Sequence, residues 1–564
     1  MTTNAPTAGD LRLREDRVFL ILTIVVGILA GLCAVLFSLG IDYTSRRLFG
    51  LAPSSTRLFL VPVLMSIVTG VLLAKVFPDV RGSGVPQTEA AYHLGGGQIP
   101  ARVGIGKFIT GILCIGSGHS MGREGPSVQI GAAVASTIGR WLYLSPRRVR
   151  DLVPVGAAGA LAAAFNTPVA AVLFALEEII GDLNAPLIGS TVIASVASVI
   201  VERSIMGNEP LFHVPTYHLI HPAELGAYAV LGVLGGAVSI VFCKLLLGLR
   251  RSFQRMPART RILQPAMGGL VIGVVLIYVP AVMGVGYDYV DQALNGGLLL
   301  QTMALLCVVK LAATTISYAS GNAGGIFAPS LYIGAMAGGA VGSLVHTYAP
   351  FPTAEAGAYA LVGMGTLFAG IIRAPMTSVF MIFEITQDYQ ILVPLMLANM
   401  LSFLISRRYQ PTPVYHELLR QDNVHLPAPG THLGLSAKTA RHVMKADPPR
   451  IAPEQTVDEA RAAVMRHDSP AAVVGSRERL AACVTRDELD RLVAAGRGRE
   501  PVGAIVTVSA VHVHPDHALD VVLERLRQTS GALPVVSRSD IRQVEGIVTF
   551  ETLLGTTAGR HTLS

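Results

Sequence analysis

Charge is scarce in this sequence. Only 14% of its 564 residues are Asp, Glu, Lys or Arg, against about 25% in a soluble globular chain. With 51% hydrophobic residues and a mean hydropathy of +0.54, the shortfall excludes an ordinary soluble protein and reads as a polytopic membrane protein. Cysteine is sparse as well. Cys33, Cys114, Cys243, Cys307 and Cys483 are scattered without a CxxC pair, so neither a disulfide framework nor a metal site is expected. There is one tryptophan, Trp141, which fits an interfacial anchor. No nucleophile–base pair or ligand cluster accompanies the carboxylates of the apolar region, which argues against an intramembrane enzyme. The first apolar run is too long for a cleavable signal peptide and lacks a good cleavage site.

The formal charge of +7 is not a nucleic-acid signal, because the basic residues sit in loops. They are Arg12, Arg14 and Arg17, then Arg147, Arg148 and Arg150, then Arg250 to Arg261, and Arg407 with Arg408. This positive-inside pattern places both termini in the cytoplasm, with Arg46 and Arg47 running against it. Apolar segments begin near Val18 and stop near Ile405. Several are shorter than the ~20 residues of a simple span. Broken helices are tolerated where they line a site rather than lipid.

The stretch Gly118 to Ala132, GHSMGREGPSVQIGA, is the centre of the sequence. Arg123 and Glu124 stand there in an otherwise apolar region, where a charge is costly and is retained for function. The glycines and Pro126 break regular structure just before an apolar run. That exposes a helix N-terminus, whose free N–H groups and positive dipole end favour an anion. An anion site with a titratable carboxylate at its door is the expected chemistry.

The second half repeats the first. Lys310, Gly321 and Pro329 follow Lys107, Gly118 and Pro126 at one offset (310 − 107 = 321 − 118 = 329 − 126 = 203). Gly156, Pro168 and Glu177 recur with equal spacing as Gly363, Pro375 and Glu384. Paired broken helices in an internal repeat point to a transporter site at the repeat interface. Spacing alone does not say whether the repeats are inverted. Residues 407 to about 440 read as a polar connector. Beyond Arg441 the chain reads as soluble α/β, in two similar units, Val443 to about Val493 and Val502 to about Leu554. Each carries a helix (Thr456 to Arg466, and Ala518 to Gln528) and a Thr-containing turn, at Thr485 and Thr549.

Together, Gly82-Ser83-Gly84-Val85-Pro86, Gly122-Arg123-Glu124-Gly125-Pro126, Gly325 to Pro329 and Pro413-Val414-Tyr415 resemble the CLC family of chloride channels and chloride/proton exchangers. The tail resembles a pair of CBS motifs, most clearly in Leu533-Pro534-Val535-Val536 and Gly546 to Thr549. The resemblance implies an all-α polytopic membrane domain of two repeated halves with broken helices, followed by a small cytoplasmic α/β CBS pair. The implied boundaries are an N-terminal segment at 1–17, a membrane domain at 18–419, a linker at 420–440 and a CBS pair at 441–564.

It further implies that Ser83, Tyr415 and the backbone N–H groups of Ile326 and Phe327 bind chloride. Glu124 would be the external gate and proton site, Glu178 the internal proton relay, and Lys107 and Arg123 electrostatic support. Chloride/proton antiport by a homodimer in the cell (inner) membrane follows, with a passive voltage- or pH-gated chloride channel as the alternative. Chloride, protons and lipid are the expected partners, and no cofactor is required. Nitrate-preferring members tend to have Pro where Ser83 stands, and fluoride exporters depart from the Gly122–Pro126 pattern, so chloride is favoured. Asp487 resembles the ribose-binding acid of nucleotide-binding CBS pairs, but the second unit has Glu551 there. An adenine nucleotide at Thr485, Asp487 and Thr549 is left open. Lys107 and Lys310 match in the repeat, which also fits a structural role.

Overall fold

Proline sets where many of the helices begin. Pro86, Pro146, Pro168, Pro265 and Pro375 stand in first turns, where the missing N–H costs nothing. The structure, a computed structural model, describes residues 8–50, 52–183, 186–208, 211–212, 214, 220–426, 439–475, 480–505, 511–517, 519–526, 529, 531–538, 540 and 543–553. Parts of the expected N-terminal segment and linker lie outside these residues, as do Ala518, Gln528 and Leu554. The chain divides into two units, Met1–Pro427 and Ala428–Ser564.

The first half of the first unit contains α1 (Ala8–Phe49), α2 (Ser55–Val71), α3 (Val85–His93), α4 (Ala101–Gly116), α5 (Glu124–Trp141), α6 (Pro146–Phe165), α7 (Pro168–Phe174) and α8 (Ile188–Met206). The second half contains α9 (Glu224–Gln254), α10 (Gln264–Tyr278), α11 (Tyr287–Leu294), α12 (Leu300–Ala319), α13 (Phe327–Tyr348), α14 (Ala356–Ile371), α15 (Pro375–Thr386) and α16 (Leu392–Tyr409), with α17 (Val414–Gln421) after it. Among the described residues, six helices are long and apolar enough to cross a membrane: α1, α2 with its π-turn extension, α8, α9, α12 and α13.

The structure adds three local features. Helix α1 begins at Ala8, ahead of the apolar run that starts near Val18, because Leu, Arg and Glu in its first turns are strong helix formers. Helix α7 passes into a π turn, Ala175–Ile180, which carries Glu177 and Glu178. The connector after residue 407 contains α17, whose Val414, Tyr415, Leu418 and Leu419 are buried. Arg250 pairs with Asp422 at 2.7 Å and Arg251 with Glu417 at 2.8 Å, which fixes α17 to the end of α9.

The halves pack alike. A Cβ on Gly131 would lie 2.3 Å from the Gly156 carbonyl oxygen, and the reverse holds, so α5 and α6 touch backbone to backbone. The same 2.3 Å approach joins Gly334 of α13 and Gly363 of α14. Small residues let membrane helices close on one another in this way. Helices α6 and α14 are buried along most of their length and form the centre of each half.

The structure also settles the sense of the repeat. Glu177, beyond the C-terminal end of α7, accepts from the N–H groups of Met376 (3.1 Å) and Thr377 (2.8 Å) at the start of α15. Glu384, near the end of α15, accepts from Val169 (2.9 Å) and Ala170 (2.8 Å) at the start of α7. Each carboxylate caps the other helix, so these equivalent helices are antiparallel. Helices α2 and α10 are antiparallel too: Gly70 approaches Ile262, while Gly273 approaches Phe59. A two-fold axis along the helices would leave equivalents parallel. The axis therefore crosses them, and the repeats are inverted.

In the second unit, β2 (Arg450–Ile451), β3 (Ala471–Gly475) and β4 (Leu480–Thr485) form one sheet, with helices α18 (Val457–Arg466) and α19 (Arg486–Ala494). The other sheet is β1 (Lys445–Ala446), β6 (Val544–Thr549) and β5 (Ala532–Val536), with helix α20 (Leu519–Leu526). The first runs strand–helix–strand–strand with β2 parallel to β3, Arg450 beside Val473, and in the second a single parallel bridge from Val513 to Val535 takes the place of that first strand. Strand β1 precedes the first sheet in sequence yet pairs with the second, which interlocks them.

Candidate functional site

Three glycine-rich loops meet at the inverted-repeat axis. Gly122 and Gly325, 203 residues apart, exchange N–H···O bonds of 2.8 Å in both directions. Gly82 donates to Asn322 O and accepts from the Gly324 N–H, each at 3.2 Å. The approach is so close that a Cβ on Gly125 would sit 2.4 Å from Ser83 Oγ. Ser83, Glu124 and Ile326–Phe327 are thereby brought together.

Ser83 is fully buried, and its Oγ has no hydrogen-bond partner among the described residues. It is not an N-cap: the Gly84 N–H at the start of α3 is satisfied by Gln87 Oε1 at 3.0 Å. Tyr415 is fully buried with its hydroxyl equally unpartnered, whereas Tyr389 and Tyr409 are 76% and 66% exposed. The Ser83 and Tyr415 hydroxyls interact without the geometry of a hydrogen bond. Two buried, unsatisfied donors are costly, about 1–3 kcal/mol each, unless an acceptor such as an anion serves both.

Helices α5 and α13 begin here. Ile326 is the N-cap of α13 and Phe327 its first residue, so their N–H groups have no acceptor within the helix. The Phe327 ring packs against Phe165, Phe174 and Phe368, with centroids at 5.0, 5.6 and 4.4 Å. Glu124 is the first residue of α5, and its side chain reaches across to α13. Its Oε2 accepts from the Ala328 N–H at 3.4 Å, and its Oε1 accepts from the Tyr287 hydroxyl at 2.6 Å. Arg123 Nε lies 4.0 Å from Oε1, and its guanidinium covers the Tyr287 ring at 5.4 Å. Burying a carboxylate costs several kcal/mol unless it is paired and hydrogen-bonded; these three contacts offset that cost.

Lys107 is fully buried behind the Ser83 loop, donating to the carbonyls of Val80 (2.6 Å) and Gly82 (2.9 Å). These two bonds hold the loop in place. Glu178 is buried, and its Oε1 has no hydrogen-bond partner among the described residues. Glu89, Glu177 and Arg373 are the charged groups within its electrostatic reach. Tyr415 lies within electrostatic range of both Glu178 and Glu124. A cavity of about 210 Å³ lined by Arg123, Phe165 and Glu202 and one of about 830 Å³ lined by Phe165, Asn166 and Glu384 both border the turn after α6.

Four side chains of the site were missed in the sequence: Tyr287, Tyr318, Glu89 and His416. Tyr318 brings its hydroxyl to the Ser83 loop, 3.2 Å from where a Cβ on Gly82 would stand. Glu89 and His416 pair at 2.6 Å beside Tyr415. Only Tyr287 had a signal, since Gly284-Val285-Gly286 before it copies the Gly-x-Gly of the Ser83 loop. His119 bonds Ser66 Oγ at 2.6 Å and packs away from the carboxylate.

The candidate nucleotide residues lie in the second unit. The Thr485 hydroxyl accepts from the Glu488 N–H and that of Thr549 from the Thr552 N–H, both at 3.3 Å, so each caps a helical turn. Asp487 is exposed in the first turn of α19.

The family model described as voltage gated chloride channel matches residues 63–407, and that of the CBS domain matches residues 502–558. The H(+)/Cl(-) exchange transporter ClcA of Vibrio cholerae is 32% identical over 419 residues, covering 71% of this chain and 89% of that protein. The ClcA of Vibrio campbellii is 31% identical over 417 residues, with the same coverage of 71% and 89%. The crystal structure of a slow cyanobacterial Cl-/H+ antiporter superposes with a TM-score of 0.65 at 27% identity, covering 72% of this chain and 97% of that one. A eukaryotic CLC transporter shares the fold across 95% of this chain and 97% of its own, with a TM-score of 0.64 at 20% identity. From its matched span, its relatives and its fold, the chain belongs to the CLC family of voltage-gated chloride channels and carries a C-terminal CBS domain.

Proposed function

We propose that the protein exchanges chloride for protons across a membrane, with Glu124 as the gate. One observation carries the reading: the Glu124 carboxylate lies on the N-terminus of α13 beside two buried, unpartnered hydroxyls, Ser83 and Tyr415. Chloride is large and weakly hydrated. Neutral hydroxyls and backbone N–H groups, here of Ile326 and Phe327, replace its water without trapping it. Ionised Glu124 is itself an anion and competes for the same donors. Protonated, it yields the site and takes its proton with it. Glu178, buried and within electrostatic range of Tyr415 but outside the cluster of anion donors, supplies protons from the opposite side. Lys107 and Arg123 add positive potential.

The exchange named for the Vibrio relatives and the antiporter title of the cyanobacterial structure support this reading over a passive channel. The same membership supports a homodimer with one pathway per subunit, and the basic loops support cytoplasmic termini in the inner membrane. The CBS unit is the regulatory part of this reading. Titration with adenine nucleotide, reading quenching of a probe near Asp487, tests occupancy at Thr485, Asp487 and Thr549.

The primary test is reconstitution in liposomes under a chloride gradient with no initial proton gradient, with a protonophore control. Uphill proton movement driven by chloride is expected. Glu124→Ala and Glu178→Gln should each abolish it while chloride still flows. Chloride flux without proton movement in the unsubstituted protein identifies a channel and removes the role given to Glu178.

A further inference from the structure

The Tyr287 hydroxyl donates to Glu124 Oε1 at 2.6 Å, the shortest contact that the carboxylate makes. Tyr287 is the first residue of α11, a helix of the opposite repeat. The loop that delivers it is the inverted copy of the loop that delivers Ser83. Phe77 and Val279 share one backbone conformation, each is followed by a single 3₁₀ turn (Pro78–Val80 and Pro280–Val282), and Gly84 and Gly286 cap the helices that follow. These pairs stand 202 residues apart (279 − 77 = 286 − 84).

The anchoring is copied too. Lys107 holds the carbonyls of Val80 and Gly82, and Lys310 holds their counterparts Val282 (3.1 Å) and Gly284 (2.8 Å), with Val285 added at 3.1 Å. A Cβ on Gly286 would lie 2.8 Å from the Tyr332 ring, so the loop has no room to retreat. The Tyr287 ring is gripped from both sides, by the Arg123 guanidinium and edge-on by Phe212 at 5.2 Å. One loop thus leaves a hydroxyl free beside the anion donors, and its copy fixes a hydroxyl on the competing carboxylate.

We propose that Tyr287 is a positioning residue for exchange: its hydroxyl, held by the Lys310-anchored loop, retains the Glu124 carboxylate and sets how readily that carboxylate yields to chloride and to protons. A donor to a carboxylate favours the ionised form. The other titratable and charged groups acting here are Arg123 beside Glu124, Glu202 of α8 within reach of Arg123, and Tyr415 of α17. None of them donates to Oε1 at hydrogen-bond distance.

The inference rests on the gate reading of Glu124, and a double-substitution cycle in liposomes separates the two. Full-length protein, Tyr287→Phe, Glu124→Ala and the double variant are compared for chloride efflux against external pH and external chloride. Tyr287→Phe is expected to move the pH midpoint up by about one unit and to lower the half-saturating chloride about tenfold, the scale of a lost hydrogen bond to a charged group. In the Glu124→Ala background the same substitution should change neither by more than about twofold. Unchanged midpoint and chloride dependence in Tyr287→Phe overturn the proposal. So does an equal effect in the Glu124→Ala background, because Tyr287 would then act through packing. Proton coupling that survives Glu124→Ala overturns the gate reading instead, and this inference with it. Replacing Tyr287 alone with 3-fluorotyrosine keeps the ring and makes the phenol a stronger donor. It should move the midpoint downward, and a midpoint that stays put counts against the proposal even if Tyr287→Phe fails to fold.

Discussion

Glu124 and Phe327 begin equivalent helices, 203 residues apart, on either side of one pseudo-two-fold axis. The backbone treats them alike: Gly122 and Gly325 precede them and bond each other, and Pro126 and Pro329 follow in the first turns. Their side chains part company. Phe327 is sealed among Phe165, Phe174 and Phe368, while Glu124 crosses the axis and lies against the first turn of α13. Inversion of one ancestral half explains why two helix N-termini converge, since only an axis across the helices turns both starts towards the same point. It does not give the site a direction. In the exchange proposed for this protein, one titratable side chain at one of the two starts does.

The largest effect should come from erasing that difference. Phe327→Glu buries a second carboxylate in an aromatic shell with no partner. We expect a loss of about 3–5 kcal/mol or more, read as failure to purify as a folded species or as a collapse of the melting temperature in detergent. Glu124→Ala should purify normally. A stable Phe327→Glu protein would show that the two starts are interchangeable.

The paired lysines sharpen the comparison at intermediate scale. Lys310→Met orphans three carbonyls and Lys107→Met two. At about 1–3 kcal/mol per buried orphan, both should lower the melting temperature, Lys310→Met more. If Lys107 acted only through charge, Lys107→Met would change chloride affinity and leave the melting temperature in place.

The smallest effect is expected in the second unit, where charges are solvated. Arg538 donates to Asp516 at 2.7 Å on the surface and holds its carboxyl down at about 2. A lowered carboxyl contributes stability above its unfolded value, near 3.9, and loses it as pH falls towards 2. Solvent screens an exposed pair of this kind, so its contribution is small. Asp516→Asn should therefore speed amide exchange slightly around residues 513–516 above pH 4 and leave it unchanged near pH 2. A large change would mean that the pair does more than decorate the surface.

Much of this was legible in the sequence, because it depends on local chemistry. Scarce charge and long apolar runs required a membrane. Gly and Pro at residues 82–86, 122–126 and 325–329 marked where helices break. The constant offset of 203 announced the repeat, and the two α/β units of the tail are present in the structure. The sequence also misled locally. The charged start of α1 carries no apolar pattern yet is helical, and α17 was hidden in a polar connector because its apolar stripe is only two turns long.

What the tertiary structure alone decided is how one half lies on the other. Spacing is the same whether a repeat is translated or inverted, so it is the exchanged caps of Glu177 and Glu384 and the antiparallel packing of α2 on α10 that fix the sense. Tyr415 is one of three nearby tyrosines in sequence, and burial singles it out. Tyr287 stands 163 residues from the carboxylate it holds. No local pattern reports a contact that exists because an axis folds a distant loop across the site. The sequence determined the pieces and their copies; the orientation of those copies, and hence the meeting of a hydroxyl, a helix N-terminus and a carboxylate, is a property of packing in three dimensions.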